Sequence, residues 1–155
     1  MQITICAVGR LRRGPERDLV DDYLTRFERS GRGIGLGPVE VIEVDAKGGG
    51  QETEARLLTR ALPGGAPCLA LDERGRGVTS PDFADQIAAY RDAGHRGLAF
   101  VIGGADGLAP EVLQRADGAI SFGAMVWPHL LARIMLTEQL YRAAQILTGT
   151  PYHRA

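Results

Sequence analysis

The run "GLAFVIGG" (97–104) carries no polar side chain at any position. A strand that is apolar on both faces has none to offer to water, so it belongs inside a sheet covered on both sides. The rest of the chain supplies such a sheet and its cover. "QITICAV" (Gln2 to Val8) is a short β-branched run, and Leu19, Tyr23, Leu24 and Phe27 recur at helical spacing through "ERDLVDDYLTRFE". "VEVIEV" (Val39 to Val44) alternates as a strand, and the glycine-rich "DAKGGGQ" reads as a mobile loop before the helix "ETEARLLTRAL". "PCLAL" is a third strand leading into a turn, "DERGRG". Ser80 then caps, and Pro81 opens, a helix through Phe83, Ile87 and Tyr90 that stops near Gly94. After the apolar strand come a short helix "PEVLQRA", a fifth strand "GAISF", and a helix opened by Pro128 that runs to about Thr148. The order βαβαβαβαβα predicts an α/β fold, a parallel sheet flanked by helices, formed as one domain over residues 1–155. Ligands of such sheets bind at the carboxyl ends of the strands, so chemistry is to be sought in the loops there.

Composition narrows the class. No stretch approaches the roughly 20 apolar residues of a membrane helix, so a soluble protein with no membrane association is expected. "ITICAV" is short for a signal peptide and its arginines follow rather than precede it, which points to the cytoplasm. Cys6 and Cys68 lie in apolar runs and read as buried thiols; no ligand spacing suggests a metal, and none is expected. The formal net charge is -1, yet Arg10, Arg12 and Arg13 fall within four residues, followed by Arg17, Arg26, Arg29 and Arg32. Interleaved Glu16, Asp18, Asp21, Asp22 and Glu28 favour reading this segment as a solvated, ion-paired surface.

The loops differ in what they offer. The turn after the first strand, "VGRLRRGPE", lacks G-x-G-x-x-G, and no phosphate-loop motif occurs anywhere. The fourth strand ends differently, at Gly103 and Gly104 with Gly107 beyond, either a tight turn or a backbone brought close to a ligand. In "SFGAMVWPHLLAR", Phe122, Met125 and Trp127 are large apolar residues in a segment that must turn. They either cover the core or wall a pocket for a flat heterocycle. His129 reads first as a capping or packing residue of the last helix, and Glu138 with Arg142 as an ordinary i, i+4 surface pair. That helix is apolar on more than one side, so it is either sandwiched in its own domain or shared with a second subunit.

"VIGGADGL" followed by "SFGAMVWPHLLARIMLTEQLYRAAQILTGTPYHRA" closely resembles the carboxyl half of the RlmH family in the SPOUT methyltransferase group. "AVG", "YLTRF" and "LALDERG" extend the resemblance over the whole chain. The resemblance implies a parallel sheet with a C-terminal trefoil knot, a homodimer packed through the last helix, and S-adenosylmethionine bound in the knot. It further implies methyl transfer to N3 of a pseudouridine in large-subunit (23S) ribosomal RNA. Carried over by position, the cofactor site is Leu71, Gly103 and the loop Phe122, Gly123, Ala124, Met125, Val126 and Trp127. Gly123 and Val126 stand where many relatives have a hydroxyl residue, so hydrogen bonds from that loop must come from backbone. The segment "SGRGIGLG" is longer and more flexible in appearance than the resemblance leads one to expect.

An N3 imide is largely protonated at neutral pH and lies on the pairing edge, so the base must be unpaired and helped to lose its proton. The tail "PYHRA" offers an aromatic, an imidazole and a guanidinium. On the strength of the resemblance, Tyr152 positions the base, His153 is the candidate proton acceptor, and Arg154 with Arg142 holds RNA or developing negative charge. The alternative reading is a non-enzymatic ribosome-associated RNA-binding factor, which would use the arginines and need no cofactor.

Overall fold

The structure, a computed structural model, describes residues 1–153; Arg154 and the role expected of it lie outside the described residues. Five strands, β1 (Gln2–Val8), β2 (Val39–Val44), β3 (Cys68–Gly77), β4 (Gly97–Ile102) and β5 (Gly118–Ser121), form one parallel sheet in the order β2-β1-β4-β3-β5. The apolar run at 97–104 forms β4, which lies in the middle of the sheet with every residue after Gly97 buried. Its two faces feed two cores. Leu98, Phe100 and Ile102 join Ile3, Ile5 and Ala7 of β1 in one cluster, while Ala99 and Val101 join Cys6 and Val8 in the other.

The helices divide the same way. Phe27 of α1 (Pro15–Gly31), Phe83 and Ile87 of α3 (Ser80–Asp92), and Leu136 and Leu140 of α5 (His129–Leu147) cover the first face. Ala55 and Leu58 of α2 (Gly50–Ala61) and Val112 of α4 (Pro110–Arg115) cover the second. Each step toward the β2 edge therefore uses a helix on one face, and each step toward β5 a helix on the other. All four crossovers have one hand, as strand twist requires.

Several local expectations are corrected by the structure; α2, for one, begins at Gly50, inside the segment expected to be a loop. "DERGRG" is not a turn: β3 bulges after Leu71 and pairs with β5 a second time, at Arg76 and Gly77, so Ile120 lies opposite both Leu71 and Arg76. A Cβ on Gly75 would lie 2.7 Å from the backbone of Ala119 and Ile120, which is why that bulge needs glycine. Thr79, not Ser80, caps α3, through a capping box with Asp82, while Ser80 Oγ donates to Gln139 of α5. The "SGRGIGLG" segment is held by a short 3-10 turn, by Leu36 N donating to Gly31 O, and by Arg91 Nη1 donating to Ile34 O. Cys6 and Cys68 are free and buried, and desolvation pushes their thiols up to about 12 and about 11.

Candidate active site

Leu71, Ile102 and Ser121 end their stretches of β3, β4 and β5 side by side, and the loops beyond them enclose a cleft of about 420 Å³. That size is ordinary for a small-molecule site. Of the residues expected to hold a cofactor, Leu71, Gly103, Phe122, Gly123, Met125, Val126 and Trp127 line it; Ala124 does not. Phe122 packs on the core, whereas Met125, Val126 and Trp127 are 71%, 78% and 40% exposed, an apolar rim left open to solvent. The glycine turn closes on itself: a Cβ at Gly103 would lie 2.6 Å from the Gly107 carbonyl carbon and 2.8 Å from Leu108 N. Gly103 is thus required first by the turn's own backbone, and only through that turn by anything in the cleft. Asp72 also lines the cleft, and the Arg74 guanidinium holds its carboxyl below the usual range.

The tail folds back on α5. Tyr152 Oη donates to Glu138 Oε1 at 3.0 Å, Arg142 Nε donates to the same oxygen at 3.0 Å, and the guanidinium carbon lies 4.9 Å from the Tyr152 ring centroid. His153 Nδ1 is 3.4 Å from Arg142 Nη1. Tyr152 also packs on Tyr141 at 4.6 Å between centroids. Glu138 and Arg142 are therefore not a plain surface pair but the anchor of the tail. Burial and the Glu138 carboxylate push the Tyr152 phenol up to about 12, so it acts as a donor. When Arg142 donates to Nδ1 it occupies that lone pair, and His153 can take a proton there only once this hydrogen bond opens. Tyr152, His153 and Arg142 are brought together, but not beside the cleft. The cleft meets α5 at His129 and Ala132, whereas the tail rests on Glu138 and Arg142. At 1.5 Å per residue, His129 to Arg142 is about 20 Å along the axis.

Three titratable residues, His129, Arg133 and Glu54, were not assigned to the cleft or its support from the sequence. His129 does not cap α5, whose N-cap is Pro128 with no side-chain cap bond. It lines the cleft, and its Nε2 packs 3.3 Å from where a Gly9 Cβ would be. Burial first, and then the Arg133 charge, lower its pKa, while Glu54 opposes them. Arg133 is wholly buried: Nη1 meets Glu43 Oε1 at 2.7 Å, and Nη2 donates to the carbonyls of Val8 and Gly9 at 3.1 and 2.9 Å. Glu54 Oε2 and Arg133 Nε are buried without a partner among the described residues, and a Cβ on Gly104 would lie 2.8 Å from Glu54 Oε1. The spacing of His129 and Arg133, one helical turn apart, was the available signal, but an arginine in an apolar helix shows no burial by periodicity alone. Among the described residues no three His, Cys, Asp or Glu side chains gather as metal ligands, and no helix is long and apolar enough to cross a membrane.

Residues 1–153 match a family model described as "Predicted SPOUT methyltransferase". The chain is 64% identical over 155 residues to the "Ribosomal RNA large subunit methyltransferase H" of Dinoroseobacter shibae, covering 99% of each chain. It is 62% identical to the protein so named in Ruegeria pomeroyi and 64% to that of Cereibacter sphaeroides, at the same coverage. Its fold is similar to "a probable methylase family protein from Haemophilus influenzae Rd KW20", with a TM-score of 0.53, 13% identity, and 99% of this chain and 70% of that chain covered.

Proposed function

This chain belongs to the SPOUT methyltransferase family, and from that premise we propose that it methylates N3 of a pseudouridine in large-subunit (23S) ribosomal RNA, using S-adenosylmethionine. The observation that carries the reading is the cleft at the carboxyl ends of β3, β4 and β5, in a chain that matches large-subunit ribosomal RNA methyltransferases from end to end. The SPOUT fold implies that the segment forming this cleft is threaded as a trefoil knot.

The residues present fit the cofactor. The cleft has apolar walls for a flat ring in Leu71, Ile102 and Phe122. It has the Asp72 carboxylate for hydroxyl or cationic groups, and a turn packed so tightly at Gly103 that its backbone forms the floor. When bound, S-adenosylmethionine supplies an electrophilic methyl group on a sulfonium. Phe122, Met125, Val126 and Trp127, which line the cleft, would hold it there by apolar contact. On the acceptor side, Tyr152, its hydroxyl proton held by Glu138, presents its ring to the unpaired base. Arg142 and Arg154 stabilise negative charge as N3 loses its proton, and His153 is the proton acceptor.

The distance along α5 supports a site assembled from two chains. A second copy packing its α5 antiparallel about a two-fold axis near Ile134 would set Arg142 of one chain opposite the Phe122 to Trp127 loop of the other. Arg142 lies eight residues, about 12 Å, from that axis, and the loop of the other chain leads into its α5 on the same side. Exposed apolar side chains near the start of α5 support such a dimer: Leu131 is 42% exposed, and Val126 and Trp127 just before the helix are exposed as well. Each site then combines a cleft from one chain with a tail from the other.

Deletion of Tyr152 to Ala155 separates the two halves. Calorimetry with S-adenosylmethionine is expected to give an unchanged affinity, and single-turnover methylation of large-subunit RNA to fall by about 100-fold or more, the usual worth of acid–base help. Methylation at the full-length rate would remove the tail from the acceptor site. Failure of the full-length protein to bind S-adenosylmethionine would remove the proposed reaction.

A further inference from the structure

We propose that the loop from Gly9 to Gly14 is the docking site for the phosphate backbone of the RNA strand flanking the methylated base. The inference rests on the RNA methyltransferase reading but on different residues from those of the cleft and the tail. Among the described residues, the ion pairs of Arg17, Arg26, Arg74, Arg91, Arg133 and Arg142 each engage a carboxylate. Arg10, Arg12 and Arg13 engage none and are exposed. The sequence pattern suggested that interleaved acids would neutralise this segment. Among the described residues they pair with Arg17 and Arg26 of α1 and leave Arg29 unpaired; what sets the loop apart is that three exposed, unpaired arginines fall within four residues.

The loop is nevertheless fixed. Gly9 N donates to Val44 O at 2.8 Å, Leu11 is buried with its N–H on Glu43 Oε1 at 2.9 Å, and Arg17 Nη1 donates to Leu11 O. Beneath it, the buried Arg133 holds the carbonyls of Val8 and Gly9 and the same Glu43 carboxylate. A buried ion pair is a costly way to hold a loop, and here its effect is to present three like charges together on a rigid support. Uncompensated arginines at such spacing repel one another, and a polyanion relieves that repulsion. The place is also right: the loop follows β1 at the carboxyl edge of the sheet, and Gly9 abuts the ring of His129, which lines the cleft. Backbone contacts of this kind position a strand without reading its sequence.

The test uses the full-length protein with all three arginines replaced, R10Q/R12Q/R13Q, beside the charge-retaining R10K/R12K/R13K. The glutamine variant is expected to lower the slope of log affinity against log salt for the ribosomal RNA substrate by about 2, at about 0.7 for each phosphate no longer neutralised. It should raise KM by about tenfold or more, with the single-turnover rate at saturating RNA and the calorimetric affinity for S-adenosylmethionine unchanged. The lysine variant should keep most of the slope. An unchanged slope and KM in the glutamine variant overturn the proposal while leaving the methyltransferase reading standing. So does equal loss in the lysine and glutamine variants, or loss of cofactor affinity along with RNA affinity. A wild-type protein that neither binds nor methylates ribosomal RNA overturns both.

Discussion

At the scale of single residues, the buried polar groups of α5 carry the most consequence. Arg133 has no exposed surface, yet its guanidinium satisfies two carbonyls at the end of the central strand β1 and the Glu43 carboxylate of β2. One turn earlier, His129 is kept neutral by burial and by that same guanidinium, against the opposing pull of Glu54. Its pKa is lowered in the folded chain from a free value of 6.5, so the unfolded chain binds the extra proton first as pH falls. The stability His129 contributes is therefore complete above that value and is lost as pH drops below it toward the folded pKa. The unfolding free energy of the wild type is expected to fall between about pH 7 and pH 5, measured by urea denaturation, and His129→Gln should flatten that part of the profile. An equal slope in the variant would assign the pH dependence to other groups.

At the scale of elements, the junction between α3 and α5 shows how one residue's displacement changes a reading. The dipeptide Ser80–Pro81 suggested a cap at the serine, but Thr79 lies one position earlier with an extended backbone and accepts from Asp82 N, while Asp82 answers with its carboxylate. Ser80 is freed to tie α3 to Gln139 of α5. Thr79→Ala is expected to cost about 1 kcal/mol, the usual value of a lost cap, with no effect on cofactor affinity. A cost as large from Ser80→Ala with none from Thr79→Ala would return the cap to the serine. The bulge of β3 belongs to the same scale. By pairing twice with β5 it brings Asp72 to Arg74 over the cleft, where a simple turn would have led the chain away from it.

At the scale of the whole molecule, cleft and tail lie at different heights on one helix, and the proposed two-chain site predicts how the assembly should respond to substitution. Leu131→Asp places a charge in the middle of the exposed apolar stretch. It is expected to give a monomer mass by light scattering, with cofactor affinity retained and RNA methylation lost. A sharper check mixes two inactive proteins, one lacking Tyr152 to Ala155 and one with Gly103→Val in the cleft. If each site uses one chain's cleft and the other chain's tail, the mixture regains part of the wild-type rate after subunit exchange. A mixture as inactive as its components would place both halves of the site on one chain.

The order of strands and helices, the burial of "GLAFVIGG" and the parallel sheet were determined by local pattern, because apolar periodicity is a property of neighbours in sequence. The resemblance named the family and pointed to Leu71, Gly103, Phe122, Gly123, Met125, Val126 and Trp127, which line the cleft, and to Ala124, which does not, but not to Asp72 or His129. Periodicity could not show that β3 bulges and pairs again with β5, because that depends on which backbone lies beside Gly75. Nor could it show that Arg133 is buried under the loop at Gly9, or that Glu138 receives the tail across fourteen residues. It was likewise the tertiary structure that showed Arg17 and Arg26 of α1 paired and the arginines of the loop before it unpaired. A charge's partner is set by distance in space, and the partners that decide these sites, Glu43 for Arg133 and Glu138 for Tyr152, meet only when the sheet and α5 are assembled.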